Sequence, residues 1–159
     1  MLLVVDVGNT QTAIGLVGGG EVEHHWRIAT VRHRTGDEIA GLLQGFFSLA
    51  GMRLADDVDE VGIASVVPRL TAQWVEMCEK HLGLTPFVVG PGARSGIRIA
   101  MKNPTEVGAD RIVNAVAAFE SYGGPCIVCD FGTATAFDVI SADGDRSEEH
   151  TSELQSPNT

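Results

Sequence analysis

The stretch Leu2-Leu3-Val4-Val5-Asp6-Val7-Gly8-Asn9-Thr10-Gln11-Thr12-Ala13-Ile14-Gly15-Leu16-Val17 decides the fold. An apolar run ends in an aspartate, a Gly-Asn turn follows, and a second apolar run leaves the turn. This is the pattern of strand, tight turn and strand, with the polar chemistry gathered at the turn. Gly8 has no Cβ, so the backbone there can approach a ligand closely. Successive N–H groups around Gly8, Asn9 and Thr10 can make a concave anion site. The Thr10 and Thr12 hydroxyls can add donors to phosphate oxygens. Asp6, at the strand end, can hold Mg²⁺ directly or through water. Taken alone, the stretch reads equally well as an ordinary hairpin.

The pattern returns in Cys126-Ile127-Val128-Cys129-Asp130-Phe131-Gly132-Thr133-Ala134-Thr135-Ala136-Phe137-Asp138-Val139-Ile140. Again an apolar run ends in Asp-x-Gly, threonine follows, and a second apolar run leaves the turn. Two such hairpins far apart in one chain suggest two similar lobes closing on one nucleotide. The doubled arrangement resembles the acetate kinase/sugar kinase/Hsp70/actin superfamily, in which one hairpin from each lobe grips the nucleotide phosphates. The resemblance implies an α/β fold: a ribonuclease H-like lobe of the actin/Hsp70/sugar kinase type with a mixed sheet, plus the start of a second similar lobe.

Composition sets bounds on this reading. The 159 residues suggest one domain or one and a half, and an apolar content of 44% allows a real core. A net charge of −10 argues against a nucleic-acid-binding surface, which needs basic patches. It does not oppose ATP, because local hydrogen bonds and Mg²⁺ outweigh the global field. Three cysteines make no disulfide framework in a chain of this size. Cys126 and Cys129 have C-x-x-C spacing, but strand alternation puts them on opposite faces, so they read as buried small apolar residues. The N-terminus lacks the basic region of a signal peptide, and no apolar run is long enough to span a bilayer. The expectation is a soluble cytoplasmic protein with no membrane partner.

Between the two hairpins the chain alternates strand and helix. Residues 21–29 read as a third antiparallel strand, with Val22, His24, Trp26 and Ile28 on one face. Thr35 caps a helix whose first turn carries Asp37 and Glu38. Its core face is Ile39, Leu42, Leu43, Phe46, Phe47 and Ala50, and Gly51 stops it. Residues 59–67 read as a buried strand. Pro68 opens the next helix, with Leu70, Trp74, Met77, Cys78 and His81 on its inner side and Gly83 at its end. His81 is read as a histidine complementing the helix C-terminus. Residues 86–89 form a short strand, and 90–96 a Gly/Pro loop.

The segment Lys102-Asn103-Pro104-Thr105-Glu106-Val107-Gly108-Ala109-Asp110-Arg111 joins a turn signal to a helix start. The helix's inner face is Ile112, Val113, Val116, Ala117 and Phe119. Asp110 in a first turn suits the helix dipole. Arg111 there opposes it, so an anionic partner should account for it, either a substrate group or a carboxylate.

DVGNT at the start, ASVVP at 64–68, KNPTEVGADR and DFGTAT, in this order, are similar to type III pantothenate kinase, from Met1 to about Asp145. The resemblance implies ATP-dependent phosphorylation of the pantothenate hydroxyl to 4'-phosphopantothenate, which opens coenzyme A biosynthesis. It implies an ATP phosphate loop formed by Asp6, Val7, Gly8, Asn9, Thr10, Gln11, Thr12 and Ala13, with Thr133 also contacting phosphate. Asp110 would be the general base, and Gly108, Ala109, Asp110 and Arg111 would line the pantothenate site. Asp130 would bind a monovalent cation, K⁺ or NH₄⁺. The resemblance also implies a homodimer, with the pantothenate site near the dimer interface. Many relatives carry a tyrosine where Met101 stands.

Residues 146–159 break the pattern, with no apolar period. They read as a disordered, non-native tail, translated from a sequencing-adapter oligonucleotide. The natural chain is then expected to continue past Asp145, and this polypeptide to be poorly active or inactive. The implied domains are a first lobe over 1–107, a linking helix and the opening hairpin of an incomplete second lobe over 108–145, and the tail over 146–159. The competing reading is a non-catalytic, nucleotide-binding regulator of the same fold, of the transcription accessory factor type. Another small-molecule kinase of the superfamily ranks last, since it needs a different substrate segment.

Overall fold

The computed structural model describes residues 1–90, 107–131 and 135–152, the last seven of these by their backbone alone. The chain divides into two compact units, Met1–Val89 and Gly90–Thr159. The sequence reading drew its boundary after 107, giving the connecting segment to the first lobe.

The first unit is built on a mixed five-stranded sheet. Its strands are β1 (Leu2–Val7), β2 (Gln11–Gly18), β3 (Glu21–Ala29), β4 (Glu60–Ser65) and β5 (Phe87–Val89), in the order β3-β2-β1-β4-β5. The first three are antiparallel neighbours from consecutive hairpins, as the sequence suggests. β4 pairs parallel to β1, and β5 parallel to β4. Parallel pairing needs crossover connections, and helices supply them. α1 (Gly36–Leu49), the short α2 (Leu54–Asp57) and α3 (Pro68–Met77) fill this role.

Alternation along the strands sorts the sheet faces. Leu3, Val5 and Val7 of β1, Ile14 and Leu16 of β2, and Val61 and Ile63 of β4 are buried with Ile39, Leu43 and Phe47 of α1 and Leu70, Trp74 and Met77 of α3. Trp26 of β3 stacks on His24 and Phe46 with ring centroids 5.7 Å apart in each pair. On the opposite face, Val4 is flanked in register by Gly15 and Gly62. A Cβ on Gly15 would stand 3.0 Å from a Val4 methyl.

The ends of α1 follow the sequence. Thr35 forms a capping box: its hydroxyl accepts from the Glu38 N–H while the Glu38 carboxylate accepts from the Thr35 N–H at 2.7 Å. These bonds hold the Glu38 carboxyl below its ordinary value. Gly51 follows in the left-handed region, at φ 75°. Other details depart from expectation. β4 ends at Ser65 because the Ser65 hydroxyl accepts from the Val67 N–H at 3.1 Å and turns the chain. α3 passes into a π-helical turn, Cys78–Leu82, before Gly83 ends it in the left-handed conformation. That turn swings His81 off the inner side, and its Nε2 lies 2.7 Å from the Asp37 carboxylate of α1. Cys78 stays buried, and burial pushes its thiol up to about 11.

The second unit contains α4 (Ala109–Tyr122) and a three-stranded antiparallel sheet of β6 (Cys126–Phe131), β7 (Thr135–Ile140) and β8 (Arg146–Ser152). α4 buries Ala109, Ile112 and Ala115, while Ala117, expected inside, is exposed. A Gly124 Cβ would lie 2.1 Å from the Ser141 carbonyl oxygen, so only glycine fits where the chain enters β6. Cys129 is exposed and Cys126 half-buried, against the expectation that both are buried. Residues 146–159 were expected without regular structure, yet the backbone of Arg146–Ser152 runs as β8 against β7. An unpaired strand edge satisfies the N–H and C=O groups of any extended segment, whatever its side chains.

Candidate nucleotide and substrate sites

The first candidate site stands where β1 and β4 end side by side. In open α/β sheets ligands bind outside the carboxyl ends of parallel strands, at the point where the strand order switches. Asp6 is the penultimate residue of β1 and exposed, on the face opposite Val5 and Val7. In register it faces Ala13 of β2 and Ala64 of β4, two small side chains that leave space around its carboxylate.

The turn after β1 is tight. The Gly8 N–H donates to the Gln11 carbonyl at 3.0 Å. A Cβ at Gly8 would stand 3.0 Å from that same oxygen, so a side chain there would crowd the turn itself. Asn9, Thr10 and Gln11 are exposed. Thr12 behaves differently from the Thr10 it was grouped with as a phosphate donor. It is 2% exposed, and its hydroxyl shares a 2.9 Å hydrogen bond with that of Thr30. The cause is alternation: Thr12 pairs with Val7 and shares the face that α1 and α3 cover. The side chain of Val7 is in the core as well, so its main chain alone can face a ligand.

Thr30 is the residue the sequence reading missed. Its hydroxyl donates to the Gly8 carbonyl at 2.8 Å, and its N–H donates to the Thr10 carbonyl at 2.9 Å. It braces the turn from the far end of β3, and no local pattern marks it. Arg32 was also missed. Its guanidinium donates to Asn9 Oδ1 at 3.3 Å, placing a cation at the rim of the turn. Beside them, the Val66 N–H donates to the Val7 carbonyl, and the Thr71 hydroxyl of α3 donates to Ser65 Oγ at 2.8 Å. This fixes the ASVVP turn against the end of β1.

The second unit holds the other candidate residues. Gly108 precedes α4, and its carbonyl accepts from the Arg111 N–H at 3.1 Å. Ala109 is buried, while Asp110 is half-buried, with its Oδ1 accepting from the Arg111 N–H at 2.8 Å. The Arg111 side chain has a carboxylate partner: its Nε donates to Asp138 Oδ2 at 3.3 Å. Of the two anions left open by the sequence, the carboxylate is thus present. Asp138 was missed, although β7 carries a signal. The acid falls on the inner face and Val139 on the outer, which inverts the usual alternation. Asp130 is half-buried on β6 and pairs with Ala136, while Asp138 pairs with Val128, so both acids project from the sheet face that carries Ile140. Thr133 and residues 91–106, with Met101, Lys102 and Asn103, lie outside the described residues.

Among the described residues, no three His, Cys, Asp or Glu side chains converge as a metal cage. The oxygen donors at Asp6 and Asp130 suit hard cations that complete their shell with phosphate oxygens and water.

The sheet order and the Asp-x-Gly turn at its centre define a protein of the actin/sugar kinase fold class. Solved structures agree at the level of fold. The ethanolamine utilization protein EutJ from Carboxydothermus hydrogenoformans matches with a TM-score of 0.52 at 15% identity, covering 95% of this chain and 51% of that one. A protein from Sinorhizobium meliloti, provisionally assigned as a 2-dehydro-3-deoxygalactonokinase, matches at 0.57 and 14% identity, covering 95% of this chain and 53% of that one. Within this class the chain belongs to the type III pantothenate kinase family, whose family model matches residues 2–146. The type III pantothenate kinase of Streptomyces avermitilis is 52% identical over 149 residues, 91% of this chain and 56% of the relative. That of Moorella thermoacetica is 50% identical over 145 residues, 91% and 57% respectively. The chain spans about half the length of the curated relatives it matches.

Proposed function

We propose that this chain belongs to an enzyme that transfers the γ-phosphoryl group of ATP to the pantothenate hydroxyl, giving 4'-phosphopantothenate. The observation that carries this reading is the family match over 2–146, which takes in both the Asp6–Ala13 turn and the Gly108–Arg111 segment. Phosphoryl transfer mainly requires positioning and charge neutralisation. The N–H groups of Asn9 and Thr10 hold phosphate oxygens, the Gly8 N–H being spent on the Gln11 carbonyl within the turn, with Thr133 contributing from the second hairpin. Thr12, through Thr30, keeps the turn in shape. Asp110 accepts the hydroxyl proton as the alcohol oxygen attacks, and Arg111 orients the anionic end of pantothenate. Asp6 would hold Mg²⁺ and Asp130 a monovalent cation, K⁺ or NH₄⁺, each supplying positive charge against the phosphates. The protein works in the cytoplasm as a homodimer. No described helix is long and apolar enough to cross a membrane.

The test joins residues 1–145 to the C-terminal half of the Streptomyces avermitilis relative and measures ATP- and pantothenate-dependent product. The joined protein is expected to turn over and the 159-residue chain to be poorly active or inactive. Asp110→Asn in the joined protein should lower kcat by about 10²–10⁴-fold with ATP binding intact. Unchanged turnover in that variant would exclude Asp110 as the base. ATP binding without turnover in the parent would favour a regulatory protein instead.

A further inference from the structure

Asp138 is 1% exposed, on the inner face of β7. A carboxylate taken out of water needs a partner with good geometry. Its partner, Arg111, lies 27 residues away in sequence, at the third position of α4, with a side chain 15% exposed. The positive end of the helix dipole disfavours a cation there. Asp138 supplies the compensating charge that keeps Arg111 in place. The guanidinium is a rigid planar fork, so fixing Nε fixes the direction of the whole group. Asp110 belongs to the same turn, where its Oδ1 accepts from the Arg111 N–H. The guanidinium and the proposed base therefore leave one short stretch of backbone, and Asp138 anchors that stretch to the sheet.

We propose that Asp138 is a positioning residue for the substrate site: it sets the direction of the Arg111 guanidinium toward the carboxylate of the alcohol substrate. This rests on the kinase reading above. A pair that merely ties α4 to β7 would affect stability and every kinetic constant alike. A pair that aims Arg111 acts on one substrate, because only pantothenate offers a carboxylate for bidentate recognition there.

The experiment uses the joined full-length protein and steady-state kinetics in both substrates. Asp138→Asn is expected to raise KM for pantothenate by about 10-fold or more, with KM for ATP within about twofold of the parent. In an Arg111→Lys background, which already loses the fork, the same change should raise KM for pantothenate by less than about twofold further. Independent multiplication of the two effects, equal changes in both KM values, or no change at all would overturn the proposal. Should Asp138→Asn fail to fold, as judged by circular dichroism, Asp138→Glu takes its place. It keeps the charge but shifts the carboxylate by one methylene, and an unaltered pantothenate KM there overturns the proposal. A parent without turnover removes the kinase reading and this inference together. A working parent with an indifferent Asp138 removes the inference alone.

Discussion

The two hairpins carry one sequence pattern and meet two different fates. In β1 every second residue, Leu3, Val5 and Val7, is fully buried under α1 and α3. In β6 no residue is fully buried: Cys126, Val128 and Asp130 are half-buried, while Ile127 at 65% and Phe131 at 79% are among the most exposed apolar side chains. In register, Ile127 faces Val139, which is exposed as well. An Asp-x-Gly turn between apolar runs therefore specifies a hairpin, but the strand becomes core only where helices cover one face and neighbouring strands flank both edges. β1 has β2 and β4 on its two sides, whereas β6 lies at the edge of its sheet. Exposed, apolar strand edges favour association with other chains.

The sharpest way to break this contrast is to attack each side with one truncation. Trp74→Ala removes a side chain 2% exposed beneath the first sheet and should cost about 3–5 kcal/mol in urea unfolding followed by circular dichroism. Phe131→Ser should change stability by less than about 0.5 kcal/mol and raise the soluble fraction on concentration. Equal costs for the two would mean that the outer face of β6 is covered in solution and the contrast is void.

A smaller effect concerns the helical cover that the first sheet has. Asp37 on α1 is held below its ordinary carboxylate value first by Lys80, whose Nζ donates to it at 2.7 Å, and then by His81. A carboxylate with a depressed folded value contributes stability above its unfolded value of 3.8 and loses it as pH falls further, through the lowered folded value. Lys80 is raised by the same bond, so its contribution is present below 10.5 and is lost as pH rises through the raised value. All three groups are substantially exposed, so the shift in unfolding midpoint is small. Asp37→Asn should flatten both limbs of the midpoint-against-pH curve. An acid limb that persists in this variant would assign it to other carboxylates.

Much of the fold was legible because its signals are local. The Thr35–Glu38 spacing marks a helix start through bonds within one turn, and Gly8 and Gly51 mark turns that other residues make only under crowding or strain. Asp6, Gly8 and Asp110 could be put forward as candidates because each stands at or beside the end of an element, where polar groups reach solvent, and because the family resemblance falls on those positions. The misses share one cause. Thr30 braces the Gly8 turn across 22 residues, and Asp138 meets Arg111 across 27. Neither separation corresponds to a helical or strand period. His81 does lie in the last helical turn as expected, but it was also placed on the inner side, because a π-helical turn leaves no mark in an apolar pattern.

By itself, then, the amino-acid order determined most of the strands and helices of the first unit and the tight turn after β1. It did so because caps, glycine turns and apolar periods act over a few residues. The tertiary structure decided which face of β2 went inward, turning Thr12 from a ligand donor into a brace. It also decided which carboxylate received Arg111. Those outcomes depend on strand order and register, which are set by the burial of whole sheet faces and not by any neighbour along the chain.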